Sequence, residues 1–281
     1  MCGVIGDPIG HTLSPTIQNA AFNHLGLDFL FLAFHVKTAD LEKAIGSMRG
    51  LGIHGLNVTM PHKNAVIKYI DEADSAATFL GSANTILNKD GTLSGFNTDG
   101  VGALNALREN GEDPSEKKVL LLGAGGAAKA IAFSFAQEAE SLCILNRMPE
   151  KAIVLADALN RVFGKRIVGG ALSPSTLQKN LQDADILVNA TSVGMHPTVN
   201  QSLVEPKWLK PNSTVMDIVY NPVKTQLVED AKAVGAKVVS GVEMLIYQGA
   251  ASFKIWTGKS APIKVMRKAA LNELSSRVDG K

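Results

Sequence analysis

The sequence predicts an α/β protein, and three observations carry that prediction. β-branched runs alternate with Ala- and Leu-rich helical patterns, Gly and Pro punctuate the chain at short intervals, and a glycine turn separates an apolar strand from an Ala-rich helix. The length of 281 residues suits two domains. Hydrophobic residues make up 46% and charged residues 19%, which excludes a disordered chain.

The predicted elements follow in order. A strand near Cys2–Gly6 leads through a loop past His11 to a helix starting at Ser14-Pro15, where serine is a good N-cap and proline suits the first helical position. Ile17, Ala20, Ala21, His24 and Leu25 keep helical spacing as far as a stop at Gly26. A second unit pairs a strand over Phe29–Val36 with a helix from Asp40 to Arg49, and a third pairs Ile53–Val58 with a helix opening at Pro61. Ala83–Asn88 and Thr92–Asn97 read as a hairpin turned by Asp90-Gly91, followed by a helix from Gly100 to Arg108.

The polar stretch Gly111–Lys118 marks the entry to a second domain. Its strands are expected at Val119–Leu122, Leu142–Leu145, Ile186–Asn189, Val215–Val219 and Lys237–Ser240. A last helical stretch, Val242–Thr257, is expected to return to the first domain.

Charge and cysteine usage narrow the function classes. The net charge is +2 with no long run of one sign, so neither nucleic acid nor a membrane surface is the expected partner. Cys2 and Cys143 are too few for a disulfide framework and lack metal-ligand spacing, so both are expected as reduced thiols and no metal is expected. The first residues carry no basic leader before an apolar stretch, and no apolar run approaches the roughly 18 residues of a spanning helix. A cytoplasmic protein is the expectation.

Gly123, Gly125 and Ala128 fit G-x-G-x-x-A between strand and helix. The first glycine permits the tight turn, the second lets backbone approach a pyrophosphate, and the small third residue allows close helix packing. About 20 residues on, a carboxylate would hold a ribose hydroxyl. The chain offers neutral Asn146, cationic Arg147 and then Lys151 there, which suits a 2′-phosphate and favours NADP.

Four polar segments lie at predicted strand ends or helix starts: His11–Ser14, Asn57–Lys63, Ser82–Thr85 and Asn97–Asp99. Their hydroxyls, amides, one lysine and one carboxylate suit a small, polyhydroxylated, anionic substrate. Ser14, Thr98 and Asp99 also read as helix caps, and Asn84 as a turn residue. Lys63 stands out because it falls in the first turn of the helix opening at Pro61, where a cation opposes the helix dipole.

Together these segments resemble the shikimate dehydrogenase family, from about Gly3 to about Gly258. The matching pieces are Leu13-Ser14-Pro15, Asn57-Val58-Thr59-Met60-Pro61-His62-Lys63, Ala83-Asn84-Thr85 and Gly95-Phe96-Asn97-Thr98-Asp99. Later come the glycine turn, Asn146-Arg147, the run Asn189–Met195, the run Asp217–Pro222, and Gly241-Val242-Glu243-Met244-Leu245 with Gln248.

The resemblance implies a substrate and catalytic domain over 1–99, an NADP-binding Rossmann-type domain over 100–240, and C-terminal helices over 241–281 that complete the first domain. It implies reversible reduction of 3-dehydroshikimate to shikimate with NADPH, by a monomer or homodimer. Thr12 and Ser14 would hold the substrate carboxylate with Tyr220 nearby. Asn57, Thr59, Asn84, Asp99 and Gln248 would bind ring hydroxyls, and Lys63 and Asp99 form the catalytic pair. On the cofactor side stand Gly123, Ala124, Gly125, Gly126, Ala127, Asn146, Arg147 and Lys151. Thr191, Ser192, Gly194, Met195, Val219, Gly241 and Met244 join them.

Two departures from the family pattern bear on specificity. Thr12 stands where serine is usual, which adds a methyl near the substrate carboxylate. Met148 replaces a threonine and Lys151 an arginine, so the phosphate site loses a hydroxyl and a bidentate fork. The alternatives are a quinate/shikimate dehydrogenase that also uses NAD, and a non-catalytic sensor of a shikimate-pathway ligand.

Overall fold

The computed structural model describes residues 1–279, which divide into two compact units, Met1–Gly102 with the described residues from Ile246 on, and Ala103–Leu245. The first unit opens with β1 (Cys2–Gly6), α1 (Ser14–His24), β2 (Phe31–His35), α2 (Leu41–Gly50) and β3 (Gly55–Val58). It continues through β4 (Glu72–Ala73), α3 (Ser75–Leu80), β5 (Thr85–Lys89), β6 (Thr92–Phe96) and the first turn of α4 (Asp99–Glu109), whose remainder from Ala103 on belongs to the second unit. These strands form one mixed sheet in the order β2-β1-β3-β5-β6-β4. β1 runs parallel to β2 and β3, whereas β5 is antiparallel to both β3 and β6. Asp90 and Gly91 close the hairpin with φ of 53° and 89°, the left-handed pair that a two-residue turn of this hand requires.

This topology gathers chain ends. The segments leaving β1 and β3 and the segments entering β5 and leaving β6 all lie at one end of the sheet, because β5 and β6 alternate in direction. The Leu41, Ile45 and Met48 face of α2 packs on Ile5, Leu56, Val58, Ile86 and Leu93 of the sheet. Burying each such side chain contributes roughly 1.5–3 kcal/mol.

The second unit runs β7 (Lys118–Leu122), α5 (Gly126–Glu138), β8 (Ser141–Asn146), α6 (Pro149–Phe163), β9 (Ile167–Ala171), α7 (Pro174–Asp183) and β10 (Ile186–Asn189). It ends with β11 (Thr214–Asp217), α8 (Gln226–Ala233), β12 (Lys237–Val239) and the start of α9 (Gly241–Thr257). All six strands are parallel, in the order β12-β11-β10-β7-β8-β9. Counted within the unit this is the doubly wound dinucleotide-binding order, with the direction of winding reversing between β7 and β10. α9 then carries the chain into the first unit, followed by α10 (Ile263–Asp279).

Three expectations need correction. No α-helix opens at Pro61; the chain turns there and only then forms a short 3-10 helix over Ala65–Tyr69. The carbonyl of Lys63 accepts from Ala83 N at 2.9 Å, which takes it out of any helical ladder. Ser14 is the first residue of α1 rather than its cap, since Leu13 occupies the cap position without a side-chain bond. Val219 lies beyond β11, which stops at Asp217. Among the described residues no helix is long and apolar enough to cross a membrane.

Candidate active site

In the first unit a hydrogen-bonded cluster joins three of the four polar segments, Asn57–Lys63, Ser82–Thr85 and Asn97–Asp99. Lys63 Nζ donates to Asp99 Oδ2 at 2.6 Å, with the lysine side chain 27% exposed and the carboxylate 10%. The other carboxylate oxygen, Asp99 Oδ1, accepts from Asn84 Nδ2 at 2.8 Å. Asn84 Oδ1 accepts from Thr98 N at 2.9 Å, and Asn84 Nδ2 also reaches Gln248 Oε1 at 3.5 Å. Asn57 Nδ2 donates to Asn84 O at 3.1 Å. Lys63, Asp99, Asn84, Gln248 and Asn57 thus form one connected set.

The loop that presents Lys63 is anchored from behind. His62 is buried, and its Nε2 lies 2.6 Å from the carbonyl of Val36, just past β2. A carbonyl only accepts, so Nε2 carries the proton. Thr59 N donates to Ile5 O at 3.0 Å, tying the same loop to β1. Gly6 is needed here, because a Cβ would lie 2.5 Å from Thr59 Cγ2. Thr12 and Ser14 form their own pair: Thr12 Oγ1 donates to Ser14 Oγ at 3.2 Å and accepts from Ser14 N at 3.2 Å. Arg277 of α10 donates to the carbonyl of His11 at 2.8 Å, steadying the loop that carries Thr12.

In the second unit the glycine turn sits at the reversal between β7 and β10. Gly123 has φ of +110°, and a Cβ there would stand 2.7 Å from the carbonyl oxygen of Ala190, which follows β10. Only glycine fits both the conformation and the approach. Gly125 caps α5 without a side-chain bond, and a Cβ at Gly125 or Gly126 would meet open space. The first-turn N–H groups of α5 are therefore available to an anion at the position where parallel sheets of this winding bind pyrophosphate.

Asn146 ends β8 and Arg147 and Lys151 follow it, the two cations exposed and Asn146 Nδ2 committed to Met148 O at 3.0 Å. The segment after β10 is held by Asn189, whose Oδ1 accepts from Thr191 N and Oγ1 at 3.2 and 2.7 Å. Asn189 is held in turn by Asp217, a fully buried carboxylate that accepts from Asn189 Nδ2, Val219 N and Thr225 Oγ1 at 3.0, 3.1 and 2.6 Å. Burial pushes the Asp217 carboxyl up from its ordinary value, and these three donors pull against that shift. Ser192 O accepts from Met195 N at 3.1 Å, and Gly194 has φ of +97°. Gly241 opens α9 where a Cβ would lie 2.5 Å from the carbonyls of Ile218 and Val219. Met244 is buried, whereas Tyr220, also of this unit, is 37% exposed.

Family comparison agrees with both halves of this geometry. Residues 4–86 match the model described as shikimate dehydrogenase substrate binding domain, 105–232 match shikimate / quinate 5-dehydrogenase, and 241–271 match shikimate 5'-dehydrogenase C-terminal domain. A shikimate dehydrogenase (NADP(+)) of Dehalococcoides mccartyi is 47% identical over 268 residues, covering 95% of this chain and 94% of the relative. The chain belongs to the shikimate dehydrogenase family.

Solved structures of that family agree. A crystal structure of a shikimate dehydrogenase in complex with NADP+ superposes with a TM-score of 0.90 at 40% identity, covering 97% of this chain and 95% of that one. Shikimate 5-dehydrogenase from Listeria monocytogenes, in complex with shikimate and NAD, gives 0.91 at 37% identity, covering 95% and 94%. For this family member, sequence reasoning left out Ser252 and gave Thr85 and Thr98 no binding role. Thr98 Oγ1 bonds Asn84 rather than capping α4, and Ser252 Oγ lies 2.7 Å from Thr85 Oγ1. The available signal was spacing, since Ser252 lies one helical turn beyond Gln248 on the same face of α9.

Proposed function

We propose that the protein catalyses the reversible NADPH-dependent reduction of 3-dehydroshikimate to shikimate. The observation that carries this reading is the Lys63–Asp99 pair at 2.6 Å, standing at one corner of a buried amide network. Bound NADPH supplies the hydride taken up by the ring ketone carbon. Lys63 holds a proton at Nζ and passes it to the ketone oxygen as charge gathers there; in the reverse direction neutral Lys63 takes the proton back. Asp99 fixes the direction of Lys63 with one oxygen while Asn84 holds the other.

Asn57, Thr59, Asn84, Asp99 and Gln248 take ring hydroxyls, and Thr12 and Ser14, with Tyr220, take the carboxylate. The Gly123–Ala127 turn takes the cofactor pyrophosphate, Asn146, Arg147 and Lys151 the 2′-phosphate, and Thr191–Met195, Val219, Gly241 and Met244 complete the cofactor side. General acid–base help of this kind is worth about 10²–10⁴-fold, and the remainder comes from holding the reacting atoms in place. The cytoplasm is the proposed location, supported by two cysteines that stand as free thiols. The proposed state is monomer or homodimer.

Use of NAD beside NADP is a second reading, favoured by exposed Lys151, which binds as a point charge where the family has an arginine fork, and by Met148, which offers no hydroxyl. The test is the rate of shikimate and quinate oxidation with NADP+ and with NAD+. Shikimate with NADP+ is the expected fastest pair. Absence of turnover with all four pairs would sink the proposal in favour of a ligand sensor.

A further inference from the structure

Behind the residues assigned to substrate lies a set of buried hydroxyls that the proposed function does not use. Ser252 of α9 is fully buried, with Oγ 3.0 Å from Asn57 Nδ2, 2.7 Å from Thr85 Oγ1 and 3.1 Å from the carbonyl of Gln248. Thr85 is equally buried and is the register partner of Asn57 across β3 and β5. Its Oγ1 accepts from Asn57 Nδ2 at 3.1 Å and donates to Asn84 Oδ1 at 3.0 Å.

An amide side chain can be placed either way round, and one-way partners decide which. The backbone carbonyl of Asn84 only accepts, so the Asn57 atom that faces it, Thr85 and Ser252 is the NH2 group. Asn57 Oδ1 is thereby buried with no partner of its own. A buried acceptor of this kind costs stability until a donor reaches it. Asn84 is fixed by the same logic, because Thr98 N–H only donates to its Oδ1 and the Asp99 carboxylate only accepts from its Nδ2.

We propose that Ser252 and Thr85 are positioning residues of the substrate site. They occupy the NH2 side of Asn57, so that its unpaired Oδ1 is the atom that accepts from a substrate hydroxyl, and Thr85 also supports Asn84, the amide that holds Asp99. This rests on the proposed function, in which Asn57 and Asn84 meet ring hydroxyls. A residue that merely packs α9 on the sheet would lower stability and disturb both substrates alike. A positioning residue shifts shikimate affinity selectively, and in the case of Ser252 only while Asn57 is present.

The experiment is steady-state kinetics with shikimate and NADP+ varied separately, on Ser252→Ala, Thr85→Val and Thr85→Ser, each alone and combined with Asn57→Ala. Ser252→Ala and Thr85→Val are expected to raise KM for shikimate about tenfold, the scale of one hydrogen bond. KM for NADP+ and kcat are expected to stay within about threefold. Thr85→Ser, which keeps the hydroxyl, recovers most of the affinity, and Ser252→Ala adds nothing on top of Asn57→Ala. Unchanged shikimate KM in both hydroxyl-less variants overturns the inference, as does an additive effect of Ser252→Ala in the Asn57→Ala background. If Ser252→Ala does not fold, the contrast between Thr85→Val and Thr85→Ser decides the matter alone. A wild-type protein without turnover on shikimate removes the proposed function and this inference together, whereas full wild-type turnover with indifferent variants removes the inference only.

Discussion

Lys63 illustrates how a candidate can rest on a mistaken local structure. Its place in the sequence suggested a cation opposing a helix dipole, yet the segment is a turn whose lysine carbonyl is used by Ala83 N. What singles Lys63 out in the fold is its pairing with a mostly buried carboxylate. Other residues behave as their burial dictates. Burial pushes the Cys2 thiol up to about 12 from an ordinary value of 9.0, against smaller opposing effects from the nearby amino terminus and a bond from Gly55. Burial likewise pushes Cys143 up to about 11. Thiols so raised stay protonated near neutral pH, so the native protein is expected to label slowly with an aromatic disulfide at pH about 8 and fully once denatured. Their raised values favour the fold below the unfolded value and lose that contribution as pH rises through the folded one. Denaturant midpoints are therefore expected to fall between 9.0 and about 12. Rapid labelling of both thiols in the native state would contradict this.

At the scale of elements, glycine positions control which backbones meet. Gly102, one turn into α4, faces Gln248 of α9 so closely that a Cβ would stand 2.7 Å from both the backbone N and the Cβ of Gln248. Gly102→Ala is expected to push Gln248 away from Asn84 and to destabilise the first unit by about 1–3 kcal/mol, the usual scale of overpacking. Thermal melting and the shikimate KM check this; a variant with wild-type values for both would show that α9 tolerates the shift. The same logic explains what the sequence concealed. β9 was missed because Gly169 and Gly170 weaken its strand character, yet a Cβ at Gly169 would collide with the backbone of Ala152 in α6. The hairpin, α1 and the glycine turn were legible because their signals are local: Asp90-Gly91, proline in the first turn, and G-x-G between strand and helix. Ser252 was not, because its role depends on the long-range pairing of α9 with β3 and β5.

For the whole molecule, two units built on different sheets carry different chemistry, a neutral amide and hydroxyl network in one and an anion-ready helix start in the other. In the proposed function the choice between NADP and NAD rests on two exposed cations, Arg147 and Lys151. Arg147→Ala is expected to raise KM for NADP+ by about tenfold or more while leaving KM for NAD+ little changed. Equal changes for both cofactors would remove the 2′-phosphate assignment.

The central claim is that Lys63 moves the proton in a dehydrogenase reaction on shikimate. The most direct measurement is kcat of Lys63→Ala against wild type with shikimate and NADP+ at saturation. The expected result is a loss of about 10²–10⁴-fold with shikimate still bound. Near-normal turnover in the variant would contradict the account.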